Sequence, residues 1–301
     1  MKAVLCTRLG APEDLEFVDV PIVPRALRKQ VVVEIKAVAL NFSDTLLIAG
    51  KYQIRPQIPF SPGGEFSGIA VEIGAGVSSI QIGDRVAGFC GFGAACERIS
   101  IDAARLVKLP KQVDFAPAAG LAVTYGTSLY ALKNRAHLKN GETLCVLGAS
   151  GGAGISAVEI GKLMGANVIA CASSESKLDF ARNHGADASI NYMNQNLKTE
   201  LRELTGGRGA DVIYDPVGAT LAEPALRSIA WEGRFATVGF AGGEIPRLPA
   251  NIILLKNCDV VGVNFGGWVS RDPDGYRTNM EALMSWCALG QISAHVHAVY
   301  P

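Results

Sequence analysis

The sequence has no surplus of charge. Its 28 Lys and Arg residues equal its 28 Asp and Glu residues, so no global field draws the chain to nucleic acid or to an anionic lipid surface, and neither partner is expected. It lacks an apolar run fit to cross a bilayer. The uncharged stretch Thr143 to Val158 contains four glycines and two serines and is shorter than the ~20 apolar residues a spanning helix needs. The chain opens directly on a strand-like run, Met1 to Cys6, with no charged leader ahead of an apolar signal core, which points away from secretion. Its seven cysteines are odd in number and irregular in spacing, so they suggest neither a disulfide framework nor a clustered metal site. Repeats and low-complexity tracts are missing as well, excluding solenoids and disordered arrays. A reduced, soluble, cytoplasmic protein is expected.

What is present is a chain of 301 residues, 49% hydrophobic and 19% charged, long enough for two domains of roughly 150 residues. Two textures meet between Asp114 and Gly120. Before that point, short β-rich runs such as Val31 to Ile35 and Gly68 to Ile73 are broken by Gly and Pro, which suggests a small barrel or sandwich. After it, six apolar strand candidates alternate with helical segments: Thr143–Leu147, Asn167–Cys171, Ala188–Ile190, Asp211–Tyr214, Arg234–Val238 and Asp259–Val263. Such alternation predicts an α/β fold with a parallel, doubly wound sheet. The helix after the first strand is apolar around Ile155, Val158, Ile160, Leu163 and Met164, with Glu159 and Lys162 on one stripe. It is expected to be a buried crossover helix.

Gly148-Ala149-Ser150-Gly151-Gly152-Ala153-Gly154 follows the first strand and opens that helix, the setting a dinucleotide site requires. Ala149, Gly151 and Gly154 take the three glycine positions of the usual spacing. The middle glycine lets backbone approach a pyrophosphate, the last allows close helix packing, and the helix N-terminus offers free N–H groups. The second strand ends Cys171-Ala172-Ser173-Ser174, where an NAD-preferring site would place a carboxylate against the ribose 2′-hydroxyl. Ser173, Ser174 and Lys177 suit a 2′-phosphate instead, so NADPH is the expected cofactor. Glu175 reads as a first-turn helix residue capped by Ser174. Lys177 also has a plainer reading as a solvated helix lysine.

With these residues in hand, Asn41-Phe42-Ser43-Asp44, Pro62 to Gly68, Gly83-Asp84-Arg85-Val86, Thr124-Tyr125-Gly126-Thr127 and Gly148 to Gly154 together resemble the medium-chain dehydrogenase/reductase superfamily. The resemblance is to its zinc-independent NADPH:quinone oxidoreductase branch, the relatives of ζ-crystallin. It implies a GroES-like catalytic domain over 1–118, a six-stranded Rossmann domain that binds NADPH over 119–266, and a return segment over 267–301. Relatives continue past that point through a further helix and strand, so a shortened return segment, lacking a cofactor contact and exposing a sheet edge, is expected. A homodimer formed through the Rossmann edge strand around Val260 to Val263 is also implied. Zinc-dependent members carry a Cys and a His where this chain has Asn41 and Gly64, so no metal is expected, and His295 and His297 are taken as surface residues. Without a metal to polarise a carbonyl, a quinone or conjugated carbonyl is the suitable hydride acceptor.

The resemblance assigns Asn41 to the nicotinamide ribose, with a plain asparagine turn as its other reading. Tyr52 falls where related enoyl thioester reductases carry a proton-donating tyrosine, or is simply a half-buried loop aromatic. Thr124 and Thr127 are placed near the nicotinamide and phosphates, although helix threonines also bond back to their own backbone. Tyr192 matches an adenosine-side position or is an aromatic plug. Ser150, Gly152 and Ala153 complete the phosphate turn. Gly239, Phe240, Val263 and Asn264 end strands five and six at the ligand edge of the sheet. Glu65 is read as a loop brace. Besides the quinone reductase, an enoyl thioester reductase and a non-catalytic NADPH-binding relative of ζ-crystallin remain open.

Overall fold

Alternating apolar residues organise the first part of the chain into strands. The computed structural model, which describes every residue except Ile22 and Pro301, places β1 (Lys2–Leu5) and β2 (Glu16–Asp19) in an antiparallel pair. β3 (Gln30–Ala39), β4 (Glu65–Ile73), β5 (Arg85–Phe89), β6 (Arg98–Asp102) and β7 (Leu106–Lys108) form a five-stranded antiparallel sheet, in the order β6-β3-β4-β5-β7. Val31, Val33, Phe66, Ala70, Val86, Ile101 and Leu106 pack into one buried cluster on it, the burial that period-two patterning provides. Ala39 pairs with Glu65, so this register brings the residues just after β3 to the start of β4.

The later strands are all parallel. β8 (Thr143–Leu147), β9 (Asn167–Ala172), β10 (Ala188–Asn191), β11 (Ala210–Asp215), β12 (Ile229–Thr237) and β13 (Asp259–Gly262) form one sheet in the order β10-β9-β8-β11-β12-β13. Central β8 is buried along its whole length, as a strand covered on both faces must be. The order reverses between β8 and β11, the switch point at which doubly wound sheets bind ligands. β12 begins at Ile229, ahead of the expected Arg234, because Ala210 pairs with Ile229 before the register slips and resumes at Val212 with Arg234.

The chain divides into two compact units, Met1–Gly126 with Gly266–Pro301, and Thr127–Phe265. The first unit runs past the expected boundary near residue 118 because Phe115–Tyr125 is bonded into its sheet: Ser67 Oγ donates to Phe115 O at 2.6 Å and Val123 N donates to Glu65 Oε2 at 2.7 Å. The segment returning to the first unit contains the helices Phe265–Arg271 and Pro273–Ala288. After Gly290 the described residues form no strand, and Pro301, the last residue of the expected return segment, lies outside them. Among the described residues no helix is long and apolar enough to cross a membrane.

The helix Gly152–Leu163 is buried over most of its length, but Glu159 is not on a solvent stripe with Lys162. It is 7% exposed, and its Oε1 lies 2.6 Å from His184 Nδ1. His184 caps the C-terminus of the helix Glu175–Asn183, a long-range partner that spacing along one helix does not reveal. Lys162 instead pairs with Asp187 at 2.7 Å.

Candidate functional site

The second unit gathers its candidate residues on one edge, because parallel strands all deliver their carboxyl ends to the same side. At the end of β8, Gly148 adopts φ +60°, a left-handed conformation that glycine adopts without a Cβ clash. The tight turn thus falls to Gly148 rather than to Ala149, whose N–H donates to Cys171 O at 3.0 Å. A Cβ on Gly154 would lie 2.1 Å from Gly148 O, so the helix can pack this closely on the turn only with glycine there. A Cβ on Gly151 would meet nothing nearer than Gly148 O at 3.5 Å. The protein's own packing does not demand glycine at Gly151, whereas a phosphate group approaching the backbone does. Ser150 is half-buried, Gly152 exposed and Ala153 half-buried around the start of the helix.

At the end of β9, Ser174 caps the next helix by accepting from Lys177 N at 3.4 Å, and Lys177 Nζ donates back to Ser173 Oγ at 2.9 Å. Glu175 is the nearby acid, and its carboxylate is engaged by Asn191 Nδ2 at 3.2 Å and by Arg182 at 3.6 Å. Tyr192 follows β10 and donates its N–H to Ala172 O at 3.2 Å, which draws it to the end of β9. Gly239 N donates to Asp215 O at 3.3 Å, placing Gly239 and Phe240 beside the loop after β11, while Val263 N bonds Thr237 O at 3.0 Å with Asn264 exposed next to it. Thr127 is half-buried in the short helix Gly126–Leu129.

A second cluster lies wholly within the first unit. Asn41 leads into the helix Phe42–Ile48, and its N–H donates to Asp44 Oδ2 at 2.8 Å. The other Asp44 oxygen accepts from Gly63 N at 3.0 Å, and burial raises the Asp44 carboxyl above its ordinary range against those two donors. Asn41 Nδ2 donates to Glu65 Oε1 at 2.8 Å, while Glu65 Oε2 takes Val123 N. Burial pushes Glu65 up to about 8 although these N–H groups hold it down. Thr124 sits in the π-helical turn Leu121–Tyr125 and donates its Oγ1 to Gly120 O at 2.8 Å, the back-bonding expected of a helix threonine.

Tyr52 packs against the cluster of Cys6, Leu47, Ile48 and Phe60, and its hydroxyl finds no hydrogen-bond partner among the described residues. Burial first, and Asp44 second, raise its ionisation above the ordinary phenol range, so the hydroxyl stays protonated. Asp44 thus accepts from the Asn41 backbone and acts on Tyr52 through its charge. The coupling of Asn41 to Glu65, and of Glu65 to Val123, was not readable from motif spacing, because the last contact joins residues 58 positions apart.

At the superfamily's zinc positions, Asn41 offers its amide N–H to Glu65 and Gly64 has no side chain. Desolvation pushes the thiol of the half-buried Cys90 up to about 12, and it lies within 3.5 Å and 3.4 Å of the carbonyls of Gly63 and Gly64. Among the described residues no three His, Cys, Asp or Glu side chains stand where they could share a metal ion.

The reversed six-stranded order with its glycine turn defines a Rossmann-type nucleotide-binding unit, and the antiparallel sheet a GroES-like unit. Residues 28–111 match the alcohol dehydrogenase GroES-like domain family, and residues 152–286 the family described as zinc-binding dehydrogenase. A quinone oxidoreductase-like protein 2 homolog of Nematostella vectensis is 40% identical over 97% of this chain and 80% of its own length. The Escherichia coli quinone oxidoreductase, solved in complex with NADPH, is 28% identical with a TM-score of 0.90 over 98% of this chain and 90% of its own. The CurK enoyl reductase is 26% identical with a TM-score of 0.89 over 100% of this chain and 92% of its own. The chain belongs to the zinc-independent, quinone oxidoreductase-like family of the medium-chain dehydrogenases/reductases.

Proposed function

We propose that the chain is an NADPH-dependent oxidoreductase that reduces quinones and similar conjugated carbonyls. The observation that carries this reading is the end of β9, where Ser173, Ser174 and Lys177 offer hydroxyls and a cation and the nearby acid is engaged elsewhere. Such a set favours a 2′-phosphate over a bare ribose hydroxyl. The space at Gly151 and the N-terminus of Gly152–Leu163 fit a pyrophosphate, with Ser150, Gly152, Ala153 and Gly154 around it. Tyr192, Gly239, Phe240, Val263 and Asn264 are the remaining cofactor-side positions of this unit. In the first unit, Asn41 accepts from a ribose hydroxyl of the nicotinamide half and Thr124 is a further cofactor-side position; Thr127 is a cofactor-side position of the second unit.

When bound, NADPH supplies the hydride. Neither Asn41 nor Gly64 gives the site an electrophile of its own, so the acceptor has to spread developing charge through its own conjugation. Leu40 and Phe42, 72% and 55% exposed on either side of Asn41, offer apolar surface to a flat acceptor. Tyr52 stacks on that acceptor or donates a proton to it through its unpartnered hydroxyl.

The Tyr52 hydroxyl also favours a second reading, an enoyl thioester reductase. Purified protein mixed with NADPH and either an ortho-quinone or an enoyl thioester separates the two by loss of the reduced-nicotinamide absorbance. Quinone turnover is expected. Turnover of the thioester alone moves the assignment to the second reading, and NADPH binding without turnover of either contradicts both.

Two copies are proposed to pair through β13, which carries Val260 at the free edge of the sheet, with Leu254 and Leu255 of the helix Ala250–Lys256, 79% and 66% exposed, and Trp231 on β12, 66% exposed. Unpaired strand edges flanked by apolar side chains invite such addition. The seven free cysteines are in keeping with a cytoplasmic setting.

A further inference from the structure

Glu65 is fully buried, and its carboxyl is not spent on a cation. Its oxygens are divided between two segments: Oε1 takes the amide of Asn41, just past β3, and Oε2 takes the backbone of Val123, the neighbour of Thr124. Burying an ionisable group is costly, and both neighbours here are N–H donors. In either protonation state both oxygens of a carboxyl keep a lone pair, whereas an amide nitrogen has none. A Glu side chain can therefore satisfy both segments at once, and a Gln side chain cannot while Asn41 presents its Nδ2. With Nδ2 committed to Glu65, the Asn41 amide turns its carbonyl Oδ1 away, as an acceptor.

We propose that Glu65 is a positioning residue for the cofactor. It holds the Asn41 carboxamide in the one of its two flip states that presents Oδ1 to a ribose hydroxyl of the nicotinamide half, and it anchors the Thr124 segment with its other oxygen. This rests on the reading of Asn41 as a ligand of that ribose. The pairing of Ala39 with Glu65 across β3 and β4 makes the clamp a product of sheet register.

The test measures affinity for NADPH beside affinity for 2′,5′-ADP, which lacks the nicotinamide half. In E65Q the new amide keeps Val123 N by its oxygen and turns an N–H toward Asn41, which forces the Asn41 amide to flip. NADPH is expected to weaken about tenfold, the loss of one hydrogen bond, with 2′,5′-ADP unchanged. N41D alone sets two carboxyl groups face to face and also weakens NADPH.

In the double variant E65Q/N41D the new amide donates to the new carboxylate, whose second oxygen is again an acceptor. Its NADPH affinity is expected to return to within about threefold of wild type, a non-additive result that marks direct coupling. A mere brace lowers the melting temperature without moving the ratio of the two affinities. Unchanged NADPH affinity in E65Q overturns the proposal. If E65Q alone does not fold, the double variant decides: it has to fold and bind NADPH better than N41D, and failure in either respect overturns the proposal. Wild-type protein that does not bind NADPH contradicts the cofactor reading itself, whereas wild-type binding that is indifferent to E65Q contradicts only the role of Glu65.

Discussion

The Lys177 ammonium reaches back one helical turn to the hydroxyl of Ser173, 2.9 Å away, where β9 gives way to the helix Glu175–Asn183. The lysine is exposed and the serine half-buried, so the pair adds little to stability and leaves a cation and a hydroxyl side by side at the ligand edge of the sheet.

Replacing Lys177 by Ala should therefore act on the cofactor and not on the fold. One charge-assisted contact to a phosphate is worth roughly 1.5–3 kcal/mol, so kcat/KM for NADPH should fall roughly tenfold to a hundredfold. kcat/KM for NADH should barely move, and the melting temperature should stay put. Equal losses for both nucleotides would show that Lys177 does not read the 2′-phosphate.

The two helix glycines should separate in the same way. A methyl at Gly154 runs into Gly148 O and Ala149 Cα, so G154A should lose about 1–3 kcal/mol of stability as an overpacked site. A methyl at Gly151 meets only an ordinary contact. G151A should unfold like the parent chain yet bind NADPH more weakly, as calorimetric titration beside thermal unfolding can show. A destabilised G151A would make that glycine a packing residue.

Much of the parallel sheet was legible in the sequence because each strand is a short apolar run closed by Gly, Pro, Ser or Asn before a helical stretch. All six runs became strands within a few residues of their expected ends. What could not be read were contacts made at a distance. Glu159 shares a stripe with Lys162 in the sequence, yet its partner is His184, the cap at the end of the next helix. Gly148 performs the turn that spacing assigned to Ala149, since a motif register specifies positions and not dihedral angles. The Asn41–Glu65–Val123 chain depends on strand register and on a π-helical turn, neither of which leaves a periodic signature.

Buried carboxyls give the first unit a characteristic pH response. Burial pushes Glu65 up to about 8 from 4.5 and raises Asp44 as well, so between those limits the folded chain binds more protons than the unfolded chain. Stability from Glu65 is thus fully present below about 4.5 and is lost as pH rises through about 8. Urea midpoints of the parent chain should fall across that window, and E65Q should show a flatter decline. An equally steep decline in E65Q would assign the protons to other groups.

The edge of β13 makes a prediction about assembly. Glutamates in place of Leu254 and Leu255, which are already exposed, should leave the monomer's stability within about 0.5 kcal/mol while converting a dimer to a monomer in sedimentation analysis. A parent chain that sediments as a monomer removes the proposed interface.

The most direct test compares kcat/KM for NADPH with that for NADH, using an ortho-quinone as acceptor and the purified parent protein. A 2′-phosphate held by Ser173 and Lys177 predicts quinone turnover with NADPH favoured at least about tenfold. Equal use of both nucleotides, or none of either with this acceptor, would contradict the assignment of the chain as an NADPH-dependent quinone reductase.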